Sequence, residues 1–336
     1  MAYAAALIPR VVVVTRPTEL EQLLGRHGTR QQAQFFLESR GRSILEADER
    51  QRALDHASQC VSQAVPTDWR RASVGRRDLD RFLFEPDDVI VAIGQDGLVA
   101  NVAKYLDGQP VIGIDPEPGR NAGVLVCHEA ASLADHLADL AANRGEVEHR
   151  TMVAATLQNG ATLLALNEIF VGHRSHQSAR YRLHLDGRLE PQSSSGLIVA
   201  TGTGATGWAS SITRERRRRP ELPAPTDPQL AWFVREAWDS PATRISRTSG
   251  AVEPGVPLRI ESEMDDGVVF GDGIESDFLS LPWGQPVEVG IADRVLRLVG
   301  GPRPEARPLE DLHSMGRRRD WLRRRAQARH DRVGPR

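Results

Sequence analysis

A short glycine loop carries a strong chemical signal in this sequence. Residues 94–97 read Gly-Gln-Asp-Gly and directly follow the apolar run Val89–Ile93. Gly94 and Gly97 let the backbone approach a ligand, and the apolar spacing after them predicts a helix whose N-terminus would attract a phosphate. Asp96 would repel that phosphate unless it had another role, such as taking a proton from an attacking hydroxyl. The loop therefore favours phosphate chemistry.

The same residues have a simpler alternative interpretation. An Asp-Gly pair between two apolar runs is also typical of a β-hairpin turn, with residues 98–102 as the returning strand. Leu98, Val102 and Leu106 recur at helical spacing, without the strict alternation of a strand, so the sequence favours the helix.

A second glycine-rich segment spans Thr201–Trp208. Its three glycines form a G-x-G-x-x-G pattern after a predicted strand. A dinucleotide-binding βαβ unit also needs an acidic residue about 20 positions later, where this chain has an arginine run and a proline-rich loop. The segment instead predicts a ligand cradle of backbone amides and threonine hydroxyls, those of Thr201, Thr203 and Thr206. A purely structural turn is the alternative.

Asn167 and Glu168 interrupt an otherwise apolar stretch at residues 161–171. A polar pair in such a strand is either satisfied internally or faces a ligand, and the sequence leaves both interpretations open. An amide beside a carboxylate can hold a ribose diol or a carboxamide. Asn167 and Glu168 are therefore candidate binding residues.

Lys104 is the only lysine among 43 basic residues. A site that needs a compact ammonium would resist replacement by arginine, so Lys104 is a candidate ligand contact, with a solvated helix residue as the alternative. Asp272 lies between two glycines, where a hairpin turn is predicted. His173 and His176 lack a third ligand nearby, so no zinc site is predicted.

The elements that position these residues follow from the apolar runs. Strands are predicted at residues 11–14, 89–93, 111–114 and 124–127. Helices are predicted at residues 18–40, 44–64 and 130–142. This alternation predicts a parallel α/β layer that binds ligands at the carboxyl ends of its strands. From about residue 150, short runs bounded by turn residues predict a β-rich domain with helices only near 206–217 and 228–238.

Length and composition indicate a globular protein of two domains. The 336 residues carry a formal net charge of −2 and two cysteines, Cys60 and Cys127, which we expect to be free thiols. Because no signal peptide or membrane span is apparent, a cytoplasmic protein without membrane contacts is predicted. The tail, residues 303–336, is Pro-rich and then basic. We expect it to be solvated rather than to bind nucleic acid, and truncation after Gly316 to leave activity intact.

The order of the motifs resembles that of the NAD kinases. That family carries Gly-Gly-Asp-Gly, then Asn-Glu, then Thr-x-Thr-Gly-Ser-Thr-Ala-Tyr and a late Asp-Gly. The counterparts stand in the same order at Gly94–Gly97, Asn167-Glu168, Thr201–Trp208 and Asp272-Gly273. Residues 111–120, 165–172 and 194–196 are most similar to the mitochondrial-type branch and its bacterial relatives. The resemblance covers roughly residues 10–300.

The resemblance implies a fold of α/β plus all-β class and a reaction. It implies an α/β domain at residues 1–149, a β-rich, sandwich-like dinucleotide-binding domain at 150–285, and a return of residues 286–302 to the first domain. The reaction is phosphoryl transfer from ATP, accompanied by Mg²⁺, or from polyphosphate to the 2′-hydroxyl of the adenosine ribose of NAD, giving NADP. A homodimer is also implied.

The family's functional residues map onto this chain by motif. Asp96 matches the aspartate that activates the ribose hydroxyl, and the loop residues Gly94, Gln95 and Gly97 match the phosphate loop. Asn167 and Glu168 match the dinucleotide-binding pair. The remaining candidate contacts with the substrates are Lys104, Thr201, Thr203, Gly204, Thr206, Trp208 and Asp272.

Departures from the family pattern leave rivals open. Gln95 replaces the second glycine of the loop, where its side chain would crowd the donor phosphates or its amide would hydrogen-bond them. A related kinase acting on a lipid or another alcohol could share the same loop. A non-catalytic NAD(P)-binding sensor is the second rival. The sequence does not decide the phosphoryl donor or the choice between NAD and NADH.

Overall fold

The computed structural model describes residues 9–120, 123–185, 187–216, 220–240 and 245–300. Within these ranges the helices are α1 (Glu19–His27), α2 (Arg30–Glu38), α3 (Ile44–Ala64), α4 (Asp96–Ala103), α5 (Leu133–Ala141) and α6 (Trp208–Glu215). The first strands are β1 (Arg10–Thr15), β2 (Arg70–Gly75), β3 (Asp88–Ile93), β4 (Pro110–Ile114), β5 (Val147–Leu157), β6 (Thr162–Ala165), β7 (Glu168–His173) and β8 (Ala179–Leu185). The others are β9 (Arg188–Ser194), β10 (Leu197–Ala200), β11 (Leu230–Val234), β12 (Ser249–Val252), β13 (Leu258–Ser262), β14 (Gly267–Gly271), β15 (Phe278–Ser280) and β16 (Pro286–Val299).

The N-terminal half builds the predicted parallel layer. Strands β2, β1, β3 and β4 lie side by side in that order and all pair in parallel. Every residue of β3 is buried, as expected for a strand covered on both faces. Helix α4 packs on one face and helices α3 and α5 on the other. This layer brings the carboxyl ends of β1, β3 and β4 to one edge of the sheet.

Strand β16 joins this layer to the rest of the chain. Its C-terminal end pairs in parallel with β4, and Val287 and Val289 lie in its antiparallel pairing with β13. Strand β5 pairs antiparallel with β16 along most of the length of β16, which has a bulge between Ile291 and Val295. The parallel strands therefore continue, through β16, into antiparallel strands of one ten-stranded sheet.

A second sheet completes a sandwich. Its six strands run in the order β12-β11-β10-β7-β14-β15. Apolar residues from both sheets form one buried cluster that includes Val171, Leu183, Trp232 and Val289. The predicted class, α/β with a β-rich sandwich, is confirmed. The domain boundary near residue 150 stays a prediction, since β5 crosses that position as one strand.

Two predicted elements of the α/β layer are wrong in detail. The helix predicted at 18–40 is two helices, because Gly28 ends α1 at a φ of 77° and the Thr29 side chain caps the start of α2. The segment at 124–127 is not a strand, because its amides bind a side chain instead of a neighbouring strand. An edge strand, β2, was not predicted in the Arg-rich segment before β3.

Two predictions in the β-rich half are also corrected. Residues 161–171 form two strands, β6 and β7, that break between Ala165 and Glu168. Residues 228–238 hold strand β11 where a helix was predicted. All five residues of β11 are buried between two neighbouring strands, so tertiary contacts decide its conformation.

Two further expectations concern membrane-spanning helices and the C-terminal tail. None of the helices within the described ranges is long and apolar enough to cross a membrane. The tail at residues 303–336 lies outside the described residues, so the expectations for it stay predictions.

Candidate active site

Asp96 occupies the first turn of α4, so the helix is present and the hairpin alternative is excluded. Its carboxylate accepts three backbone N–H bonds from one segment. Val124 donates to Oδ2 at 3.1 Å, and Leu125 and Val126 donate to Oδ1 at 2.8 and 3.0 Å. These bonds hold the carboxylate in one orientation at the carboxyl edge of the parallel sheet.

The segment that holds Asp96 crosses β4 at close range. A Cβ atom on Gly113 would lie 2.0 Å from the Leu125 carbonyl oxygen, so only glycine fits there. The segment rejoins the sheet at His128, which forms an isolated parallel bridge with Ile114. The glycine in β4 therefore lets the segment reach the carboxylate.

Gln95 is exposed and contacts the end of β1. The Arg16 guanidinium donates from Nη2 to Gln95 Oε1 at 2.6 Å. The side chain that replaces the family's second glycine thus fixes an arginine beside the loop. Neither expectation for Gln95, crowding of phosphates or direct bonding to them, anticipates this contact.

Two cavities open at this edge and share Arg16. A cavity of about 340 Å³ is lined by residues that include Arg16, Glu19, Arg42, Arg50, Gly94 and Gln95. A cavity of about 760 Å³ is lined by residues that include Arg16, Arg76, Arg77, Asn101, Tyr105 and Asp277. Arginine side chains thus surround the space beside the glycine loop.

A second cluster forms where β6 ends and β7 begins. The Asp272 carboxylate accepts backbone N–H bonds from Leu166 at 3.0 Å, Asn167 at 2.7 Å and Glu168 at 3.4 Å. In return, the Asp272 N–H donates to the Glu168 carbonyl oxygen at 3.0 Å. Asp272 has a φ of 54°, a left-handed conformation that aspartate tolerates better than most residues. The predicted hairpin turn is a longer loop, residues 272–277, between β14 and β15.

Burial perturbs both carboxyl groups of this cluster. Burial and the neighbouring Asp272 raise the pKa of Glu168 to about 7. Burial also raises the pKa of Asp272 to about 6, although the three amides and the Lys104 charge oppose the rise. No donor is hydrogen-bonded to the Glu168 side chain among the described residues, so this carboxyl group is the one available to a ligand.

The Thr201–Gly204 turn packs directly on the same backbone. Thr201 donates from Oγ1 to the Leu166 carbonyl oxygen at 2.5 Å and from its N–H to that of Asn167 at 2.9 Å. A Cβ on Gly204 would lie 2.3 Å from the Asn167 oxygen, which explains the glycine. The buried Thr203 hydroxyl has no hydrogen-bond partner in the described part of the chain.

The outer end of this turn is more open. Thr206 is exposed and donates from Oγ1 to the Thr203 carbonyl oxygen at 3.2 Å. Trp208 stacks on Phe170 with ring centroids 6.2 Å apart, and the Arg235 guanidinium lies 4.8 Å above its ring. The outer end of the turn therefore carries the hydroxyl of Thr206 and the aromatic ring of Trp208.

Lys104 follows the last turn of α4 and is not a solvated helix residue. Its side chain is 4% exposed, and Nζ donates to Asp277 Oδ2 at 2.7 Å. Burial and Asp277 raise the pKa of the neighbouring Tyr105 to about 12. Lys104 thus anchors the 272–277 loop, and whether it also contacts a ligand stays a prediction.

Helix α4 relates the two clusters. Asp96 begins the helix and Lys104 follows its last residue, a rise of about 12 Å at 1.5 Å per residue. The structure thus joins Asn167, Thr201 and Asp272 in one cluster, with Asp96 and Gln95 in another. Sequence reasoning missed Arg16, although its place directly after a predicted parallel strand is a signal that could have found it.

A metal cage is not evident in the described ranges. There, no group of three or more His, Cys, Asp or Glu side chains is placed to hold an ion. Mg²⁺ in nucleotide sites often has one or two protein carboxylates and otherwise phosphate and water oxygens.

Comparisons with known proteins point to one family. No protein-family model matches the chain. The NAD kinase of Thermomicrobium roseum is 32% identical over 126 residues, which cover 36% of this chain and 42% of that protein. NAD kinase 2 of Geobacillus kaustophilus is 23% identical over 222 residues, which cover 63% of this chain and 78% of that protein. The chain thus matches less than half of the Thermomicrobium protein.

Solved structures share the fold. Yeast NADH kinase, determined with NADH, superimposes with a TM-score of 0.57 at 15% identity, covering 89% of this chain and 85% of that one. The NAD kinase of Archaeoglobus fulgidus, determined with ATP, gives a TM-score of 0.52 at 18% identity, covering 87% and 93%. The resemblance to the NAD kinase family is confirmed in sequence and in fold.

Proposed function

We propose that this chain is an NAD kinase, transferring a phosphoryl group from ATP or polyphosphate to the 2′-hydroxyl of the adenosine ribose of NAD. The observation that carries the proposal is the fixed Asp96 carboxylate at the carboxyl edge of a parallel sheet, beside an arginine-lined cavity. The similarity to NAD kinases supports the choice of substrates.

Asp96 is proposed to accept the proton of the attacking hydroxyl. An ionised carboxylate offers about four acceptor positions, and the segment 124–126 occupies three of them. About one position remains for a substrate hydroxyl, whose direction the three bonds would set. Positioning of this kind supplies much of the catalysis in phosphoryl transfer.

Asn167, Glu168 and the Thr201–Trp208 turn are proposed to bind the dinucleotide. The Glu168 carboxyl group has no donor from the described residues, and the buried Thr203 hydroxyl has no partner there. Both groups therefore have hydrogen-bonding capacity for a ribose or amide. Gly94, Gln95 and Gly97 are proposed to lie at the donor phosphates, with Mg²⁺ carried by the triphosphate.

The test is formation of NADP by the purified protein. NAD and Mg²⁺ are supplied with ATP or, in a parallel reaction, with polyphosphate; NADH replaces NAD in a third reaction. We expect NADP with at least one donor and none with Asp96→Asn. Binding of NAD without product would instead identify a sensor, and absence of NAD binding would favour a kinase for another alcohol.

Two wider properties complete the proposal. We infer that the enzyme acts in the cytoplasm, where it would supply NADP, and that it works as a homodimer, as the family resemblance implies. Light scattering coupled to size-exclusion chromatography tests the dimer. The expected mass of the dimer is twice the 37.0 kDa of the chain.

A further inference from the structure

Arg16 is a half-buried cation beside the glycine loop. Among the residues that the structure describes, it forms no ion pair, and its guanidinium donates to the neutral Gln95 amide at 2.6 Å. Burial, together with the positive charge of Arg76, lowers the pKa of Arg16. Arg16 and Arg76 line the same cavity, so two like charges face one space.

Other arginines of the same cavity do have an acidic partner. Arg42 and Arg50 both pair with Glu19, at 2.6 and 3.0 Å. Arg16 lines this cavity and also the larger one beside Asn101 and Tyr105, so it stands where the two meet. A half-buried arginine that has no ion-pair partner among the described residues is suited to an anionic ligand.

We propose that Arg16, oriented by Gln95, binds the phosphoanhydride chain of the phosphoryl donor. The inference rests on the proposed kinase function and adds a residue to its donor side. The guanidinium has five N–H donors, and the bond to Gln95 uses one of them. The others remain for the oxygens of a nucleoside triphosphate or of polyphosphate, which share this chemistry.

The geometry favours the donor over the pyrophosphate of NAD. Arg16 contacts the residue between Gly94 and Asp96, at the start of α4. Asn167 and Asp272 instead lie with the cluster near Lys104, at the other end of that helix. Gln95 thereby acquires a role: it is a positioning residue that holds the donor-binding arginine where a glycine could not.

The inference is tested by steady-state kinetics with each donor. Arg16→Gln should raise the KM for ATP, and for polyphosphate if it is used, by about 10- to 100-fold, since charge-assisted bonds to phosphate are lost. The KM for NAD should stay within about 2-fold. Arg16→Lys should recover part of the loss, because it restores the charge but not the planar fork.

Two companion variants separate positioning from general charge. Gln95→Leu removes the acceptor and should raise the donor KM by a smaller factor, about 3- to 10-fold. Arg188→Gln removes one positive charge at the start of β9, which five strands separate from β1 in the sheet order, and should change neither KM. Thermal melting confirms that each variant is folded.

A binding measurement keeps this inference distinct from the proposed function. Calorimetric titration of inorganic tripolyphosphate should show at least about tenfold weaker binding to Arg16→Gln than to the parent protein. If the parent forms no NADP, the kinase proposal fails while this titration still tests the anion site. An unchanged donor KM in an active Arg16→Gln enzyme, or a rise confined to the KM for NAD, would overturn the inference.

Discussion

At the residue scale, two aspartates share the same pattern of hydrogen bonds to the backbone. Asp96 and Asp272 each precede a glycine, and each carboxylate accepts N–H bonds from three consecutive residues of a distant segment. A carboxylate in this arrangement orders the backbone that it binds. The substitution of either residue therefore changes local structure as well as charge.

For Asp96 the two effects can be measured separately. Asp96→Asn should lower turnover by about 100-fold or more if the carboxylate is the general base. It should also lower the free energy of unfolding by about 1–3 kcal/mol, because the new NH₂ faces the Val124 N–H. NADP formation and urea unfolding give the two quantities.

The matched control for this variant is Asp87→Asn. Asp87 is exposed in the turn before β3, at the amino end of the strand, and should tolerate the change in both assays. An Asp96→Asn protein with parent-like turnover would remove the general base from the proposed mechanism.

Glu168 predicts a specific dependence of stability on pH. Its pKa is raised to about 7 in the folded chain from an ordinary 4.5, so the folded state holds the proton more tightly than the unfolded state. Its contribution to stability is thus present below about pH 4.5 and is lost as the pH rises through about 7. Asp272, with its pKa raised to about 6, acts in the same direction.

The stability of Glu168→Gln relative to the parent protein should therefore increase as the pH rises. The two proteins should be about equally stable near pH 4.5. At pH 8 the variant should be more stable by on the order of 1–3 kcal/mol, since it buries no charge at this position. Urea unfolding across this pH range gives the difference, and a constant difference would contradict the raised pKa.

At the element scale, α4 is the part that links the two clusters. Its N-terminus presents Asp96 next to the arginine-lined cavity, and Lys104 beyond its C-terminus pairs with the 272–277 loop. The helix is short and mostly buried, so it has little freedom to tilt. We therefore expect a displacement of one end of α4 to displace the residues at its other end.

Lys104 tests the fit at the end of α4. Lys104→Arg should cost about 1–3 kcal/mol of stability, because a larger head group must enter a site where the side chain is 4% exposed. Lys104→Met should cost less, since it replaces a buried charge by an apolar chain of similar length. Equal stabilities of Lys104→Arg and the parent, by urea unfolding, would show that the site does not require a compact ammonium.

At the scale of the whole molecule, β16 makes the parallel layer and the sandwich share one sheet. It pairs with β4 on the parallel side and with β5 and β13 on the antiparallel side. The described residues up to Val299 belong to one compact unit. Because β16 pairs with strands of both halves, we expect the two halves to unfold together.

Hydrogen exchange at increasing urea measures this coupling. Amides of β3, in the parallel layer, and of β10, in the sandwich, should become exposed in one common opening. Val289→Ala, in the buried part of β16, should lower protection in both strands by the same amount, about 1–3 kcal/mol. A loss confined to β10 would show that the halves unfold independently.

The sequence by itself determined the local chemistry of this protein. The apolar run before Gly94 predicted a buried parallel strand, and the helical spacing after Gly97 predicted α4, because side-chain periodicity and glycine placement are local properties. The order of the motifs likewise predicted the family resemblance that the comparisons confirm. These features need no knowledge of distant contacts.

Only the tertiary structure decided what each polar group contacts. The sequence of residues 124–127 predicts a strand, yet backbone amides of this segment bind Asp96, about 28 positions away in the chain. The contacts of Arg16 with Gln95 and of Lys104 with Asp277 span 79 and 173 positions. Burial of β11 between two strands overrode its local pattern. Such pairings depend on how the sheets assemble, and no local pattern in the chain encodes them.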